Sequence, residues 1–188
     1  MEEINLDIDF YMNEAFKQCE ISQENGEVPV GCVFLHLPSM QIIAKGHNLT
    51  NLTKNATTHA EINCINYIDN KLNSDERESF LDKYKIELEK NQNEIEKIFN
   101  DCVLFVSCEP CIMCAHALSL VRIKKVYFGC ENDKFGGNGS ILSLNKGPNY
   151  TYESIGGFMK EKAIEYFRNF YIRGNAKAPD HKRQRKLV

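Results

Sequence analysis

Apolar positions along the chain change period several times, and the changes mark out its elements. From residue 8 to 25, Phe10, Ala15, Phe16 and Cys19 recur near every 3.6 residues among polar neighbours, which predicts a helix. Residues 28–37 (VPVGCVFLHL) and 41–46 (QIIAKG) are short runs rich in Val and Ile, parted by a Pro-Ser turn, and predict a β-hairpin. Residues 48–58 are polar and loop-like. They end in Thr57 and Thr58, either of which is a candidate cap for a helix over 59–68. Residues 69–101 are dense in Asn, Glu and Lys. Their apolar residues Leu81, Tyr84, Ile86, Leu88, Ile95, Ile98 and Phe99 fit amphipathic helices, so this stretch reads as a charged insertion with a solvated surface. A buried strand over 102–106, a helix over 111–120 and a strand over 125–129 follow. A GGNG loop (136–139), a further short strand over 141–144 and a closing amphipathic helix over 159–171 complete the pattern. A strand pair followed by alternating helices and strands predicts an α/β protein, a layered sheet with helices on both faces.

A length of 188 residues suits one domain with a core of its own. The expected division is a catalytic-type domain over 1–175, carrying the insertion at about 69–101, and a basic tail over 176–188. No apolar run is long enough to span a bilayer, and the start of the chain (MEEINLDIDF) has no secretory signal. Eight cysteines without such a signal point to metal ligands and core thiols rather than a disulfide framework, and to an intracellular protein. Net charge is −3, yet the last twelve residues hold Lys177, Lys182, Arg183, Arg185 and Lys186 against Asp180 alone. A basic tail on an acidic body suits nucleic-acid contact or nuclear targeting, or a plain solvated end.

Chemistry concentrates in SCEPCIMCAHAL (107–118). Pro110 is tolerated at a helix start, Cys111 and Cys114 then lie one turn apart on one side, and the helix dipole favours their thiolates. Two such thiolates are half of a tetrahedral zinc site. Of the five histidines, His59 alone opens a helix, with Glu61 two residues on. His59, Cys111 and Cys114 make three ligands and leave a position for water, as catalytic zinc sites do. Glu61 is then placed to act as general base and general acid. A C-x-x-C pair by itself also serves redox or structural sites, and H-x-E is short. Together, H-x-E and P-C-x-x-C are the signature of zinc deaminases. Cys32, Cys64, Cys102 and Cys130 lie in apolar contexts as core residues. Cys108 is near enough to be a stray ligand, and His116 is a packing or surface residue.

VPVGC (28–32), GHN (46–48), NATTHAE (55–61), EPCIMCAHAL (109–118) and GCENDKFGGNGS (129–140) extend the match beyond the metal motif. With them the chain resembles the tRNA-specific adenosine deaminases, most nearly the catalytic-subunit branch of the eukaryotic wobble-adenosine enzymes. The resemblance covers most of residues 8–175 and the Lys/Arg-rich tail. It implies a three-layer α/β/α cytidine-deaminase-like fold with a five-stranded mixed sheet, and zinc held by His59, Cys111 and Cys114. It implies conversion of adenosine to inosine at the first anticodon position, with Glu61 shuttling protons and Asn48 bonding the target base. It also implies tRNA contacts by Lys182, Arg183, Arg185 and Lys186, pairing with a related subunit 3 that lacks the glutamate, and a place in the nucleus or cytoplasm. The alternatives are a cytidine, dCMP or guanine deaminase acting on free substrates, or a zinc-stabilised RNA-binding scaffold.

Overall fold

The computed structural model describes residues 6–88, 93–148 and 150–172, so the basic residues Lys182, Arg183, Arg185 and Lys186 lie outside it. The chain forms α1 (Ile8–Glu24), the hairpin β1 (Gly31–His36) and β2 (Gln41–His47), α2 (Thr50–Thr53) and α3 (Ala60–Leu72). Then come α4 (Arg77–Tyr84), α5 (Glu94–Asn100), β3 (Cys102–Cys108), α6 (Ile112–Leu120), β4 (Lys125–Cys130), β5 (Glu153–Ile155) and α7 (Lys160–Ile172). No helix among the described residues is long and apolar enough to cross a membrane.

The five strands lie in the order β2-β1-β3-β4-β5. β1 runs antiparallel to β2 and to β3, whereas β3, β4 and β5 are parallel. This mixed polarity gathers the ends of β2, β3 and β4 and the start of β1 at one edge of the sheet. The segments leaving that edge therefore meet there, whatever their separation in sequence.

β1 and β3 are buried at every position, as strands covered on both faces must be. Alternation then sorts their side chains into two layers. Val33, Leu35, Val103 and Phe105 pack with Tyr11, Met12 and Phe16 of α1 and Ala163 of α7. Cys32, Phe34, Leu104 and Val106 face the other way, onto Cys64 and Ile68 of α3 and Leu118 of α6. The three-layer α/β/α arrangement and its five-stranded mixed sheet agree with the expectation from sequence.

Three local expectations change. The charged stretch after residue 69 begins as a continuation of α3, and its two amphipathic helices deepen the core. Phe80, Leu81, Tyr84, Ile98 and Phe99 are all buried against the second layer. At about 1.5–3 kcal/mol for each large apolar side chain removed from water, they are a substantial part of that layer. The fifth strand is Glu153–Ile155, not 141–144. The latter segment folds back on the glycine loop, with the Leu142 N–H donating to the Gly136 carbonyl and the Leu144 N–H to the Gly137 carbonyl. Ile141 and Leu142 are consequently exposed. The cap of α3 is neither threonine but His59, in extended backbone with φ −74° and ψ 162° and no side-chain capping bond. Thr57 turns instead toward Asn55, whose Oδ1 accepts from its N–H and hydroxyl.

Candidate metal centre and its cavity

Two helix starts meet at the shared sheet edge. β3 ends at Cys108, and Cys111 caps α6 in extended backbone (φ −67°, ψ 168°). Pro110 therefore precedes the cap instead of occupying the first helical position. Cys114 is the third residue of α6 and is fully buried. From the other side, the loop after β2 delivers His59 at the cap of α3. The His59 Nδ1 lies 3.5 Å from the Cys111 Sγ and 3.6 Å from the Cys114 Sγ. Ordinary zinc–sulfur and zinc–nitrogen bond lengths at a tetrahedral angle require a separation of about 3.6 Å. The three donor atoms all lie within 4.8 Å of one another, the one such cluster of three or more His, Cys, Asp or Glu side chains among the described residues. The donor set and its spacing fit zinc.

Electrostatics supports the same reading. Cys114 donates to Cys111, and with His59 beside it this lowers the Cys111 thiol to about 4. The same sharing, with burial, raises Cys114. The Cys111 contact raises His59 against the opposing effect of its burial. Three donor atoms packed this closely compete for protons, which coordination to a divalent cation would displace. Glu61 is 3% exposed, and burial first, then the charge on Cys111, raises its carboxyl. A carboxyl moved upward toward neutrality is suited to taking and returning a proton.

These groups open on a cavity of about 520 Å³ whose lining includes Val28, Val30, Asn48, Thr50, Glu109 and Phe135. Asn48, 5% exposed, reaches it because its backbone N–H donates to the Val30 carbonyl (3.1 Å), while its Nδ2 donates to the Thr50 Oγ1 (3.1 Å). A wider concavity of about 950 Å³ adjoins it between residues 130–135 and α7, sharing Asn132, Phe135, Phe167 and Tyr171 and adding Lys134, Lys160 and Arg168 together with Glu131 and Asp133. Cys108 does not join the metal cluster. It is buried beside its register partner Cys130. His116 is exposed on the outer side of α6.

Sequence reasoning passed over three residues that hold this site. Glu109 is 2% exposed, and its carboxylate accepts from the N–H groups of Asn132 (2.9 Å), Asn138 (3.0 Å) and Ser140 (3.1 Å) and from the Ser140 hydroxyl. It gathers the 131–140 loop against the start of α6. Gly136 and Gly137 are required by that close approach. A Cβ at Gly136 would lie 2.6 Å from the Glu109 carboxylate, and one at Gly137 2.5 Å from the Ala115 Cβ. Asn63 donates to the carbonyls of His47 (2.8 Å) and Thr58 (3.2 Å), closing the loop that carries both Asn48 and His59. Glu27, fully buried, accepts from the start of α2. The available signal for the two glutamates was a carboxylate flanked by apolar or motif residues, which sequence alone does not distinguish from a surface charge.

The family model described as the cytidine and deoxycytidylate deaminase zinc-binding region matches residues 6–130. A protein of Xenopus tropicalis named tRNA-specific adenosine deaminase 2 is 39% identical over 96% of this chain and 98% of its own. The tRNA-specific adenosine deaminase subunit tad2 of Schizosaccharomyces pombe is 36% identical over 94% of this chain and 41% of its own. The chain belongs to the tRNA-specific adenosine deaminases, within the cytidine and deoxycytidylate deaminase family of zinc proteins. Among solved structures, one from studies of A-to-I editing by tRNA:A34 deaminases superposes with a TM-score of 0.62 at 24% identity. It covers 84% of this chain and 98% of that one. A guanine deaminase from Nitrosomonas europaea gives 0.65 at 16% identity, over 89% and 86%. At those identities both likenesses speak to the fold.

Proposed function

We propose that this chain is the catalytic subunit of an enzyme that hydrolyses adenosine to inosine at the first anticodon position of tRNA, releasing ammonia. The observation that carries this reading is the convergence of His59, Cys111 and Cys114 beside a buried glutamate and an amide, in one cavity. His59, Cys111 and Cys114 hold the zinc, which when bound supplies a Lewis acid that brings the pKa of water to about 7. Glu61 takes the proton of the attacking water and returns it to the departing amine, as general base and then general acid. Asn48 offers an amide to the target base.

An RNA substrate, as opposed to a free base, is supported by the adjoining concavity along α7. Exposed Phe135 offers a stacking face, and Lys134 and Arg168 offer cations to a strand leaving the cavity, while Lys160 is paired with Glu131 (2.7 Å). The tail over 176–188 extends the phosphate contacts of the 1–175 domain through Lys182, Arg183, Arg185 and Lys186. The target base must leave a structured loop. A related, non-catalytic subunit 3 therefore widens the grip on tRNA, and the complex works in the nucleus, the cytoplasm or both.

The test is inosine formation on tRNA bearing adenosine at the first anticodon position, with and without the partner, beside free cytidine, dCMP and guanine. Inosine in tRNA is expected. Turnover of a free substrate with none on tRNA overturns the reading. Deleting residues 180–188 is expected to weaken tRNA binding and flatten its salt dependence, and an unchanged salt slope removes the tail from the interface.

A further inference from the structure

Glu27 lies in the turn between α1 and β1, directly before the VPVGC stretch (28–32), and is 0% exposed. Its carboxylate has three partners, none of them a cation. The Leu52 N–H donates to Oε1 (2.7 Å), the Asn51 N–H to Oε2 (2.9 Å), and the Thr50 hydroxyl to Oε2 (3.4 Å). The last contact has a consequence for the cavity. A carboxylate accepting three hydrogen bonds leaves Thr50 as the donor, and a hydroxyl has one proton. With that proton directed at Glu27, the Thr50 oxygen can only accept from Asn48, 3.1 Å away. The Asn48 amide must then turn its Nδ2 toward Thr50. Its Oδ1 and its second N–H remain for a ligand.

We propose that Glu27 is a positioning residue that acts through Thr50 to set which end of the Asn48 amide meets the substrate. This deepens the function proposed above and rests on it for its kinetic test. Two backbone contacts anchor Glu27 at the start of α2. The relay is therefore built on the loop's own main chain and holds its direction before any substrate arrives. An amide free to flip would present donor and acceptor in either order, and only one order matches a given nucleoside.

The experiment uses the full chain with whatever subunit co-purifies, and compares Thr50→Val, Thr50→Ser, Glu27→Gln and Asn48→Ala. Thr50→Val keeps both backbone anchors of Glu27, so it tests the relay without unbuilding the loop. It is expected to lower the single-turnover rate on saturating tRNA about tenfold, with zinc content and tRNA affinity held, and Thr50→Ser recovers most of the rate. In an Asn48→Ala background the Thr50→Val effect should vanish, since there is no amide left to orient. A Thr50→Val loss that persists in full in that background overturns the proposal. A second readout needs no turnover: proton exchange at the Asn48 side-chain amide, followed by NMR. It should be slow in the wild type and at least tenfold faster in Thr50→Val and Glu27→Gln. Equal exchange in all three overturns the relay, whatever the substrate. A wild-type chain inactive on tRNA but with the expected exchange pattern would overturn the assigned substrate and leave the relay supported.

Discussion

Two loops frame the cavity, and each is gathered onto a buried glutamate, but the two glutamates are used differently. Glu109, next to the metal-binding helix, draws the N–H groups of Asn132, Asn138 and Ser140 onto one carboxylate. That loop lies tightly against α6, tightly enough that Gly136 and Gly137 have no room for a side chain. Glu27 holds its loop by the N–H groups of Asn51 and Leu52 and then passes a further contact through Thr50 to Asn48. The first arrangement makes a rigid wall for the two sulfurs. The second makes a polar lever that ends on a ligand-facing amide. The same chemistry, a carboxylate satisfied by main-chain donors, serves stability in one place and orientation in the other.

That contrast can be broken or sharpened by substitution, beginning where the expected effect is greatest. Cys114→Ala removes a ligand from the rigid side and is expected to abolish both zinc retention and turnover. Metal analysis of the purified protein checks this, and one zinc still bound per chain would mean a different ligand set. Glu61→Gln, between the two loops, should lower turnover by about 10²–10⁴-fold while zinc content and tRNA binding persist. Near-normal turnover would remove Glu61 from the proton path. Glu109→Ala removes the buried acceptor of four part-buried hydrogen bonds and is expected to cost about 3 kcal/mol. In thermal unfolding this should read as a fall in Tm of about 6–12 °C, with zinc retention weakened. A variant with wild-type Tm would show that the wall does not depend on Glu109. Gly137→Ala is milder. Its new methyl meets Ala115 and the Cys111 carbonyl, for an expected loss of about 1–3 kcal/mol. Thr50→Val, on the lever side, should change Tm by less than either of the last two.

Motif spacing alone marks out the metal centre. His59, Cys111 and Cys114 were legible because zinc demands particular donor atoms, and because the start of a helix is a place where a short motif aims a side chain. The central strands were legible for a similar reason, since burial on both faces leaves an unbroken apolar run. The segment of residues 69–101 was only half legible. Its charge marked a surface, but Phe80, Leu81, Tyr84, Ile98 and Phe99 show that the opposite side of each helix closes the core. The edge strand Glu153–Ile155 is three residues long and half exposed, which leaves almost no periodicity to read. The more apolar stretch before it was the natural but wrong choice.

Local pattern and donor chemistry thus determined the elements, the three-layer class and the candidate zinc ligands with Glu61 beside them, because each depends on residue type and spacing within short segments. Tertiary structure alone decided what Glu27, Asn63 and Glu109 do, and why Gly136 and Gly137 are glycines. Their roles arise from contacts between segments that meet only where the ends of β2, β3 and β4 reach one sheet edge. A buried acceptor is defined by the donors folded around it, and those donors are main-chain groups that every residue carries. No side-chain pattern in the sequence could announce them.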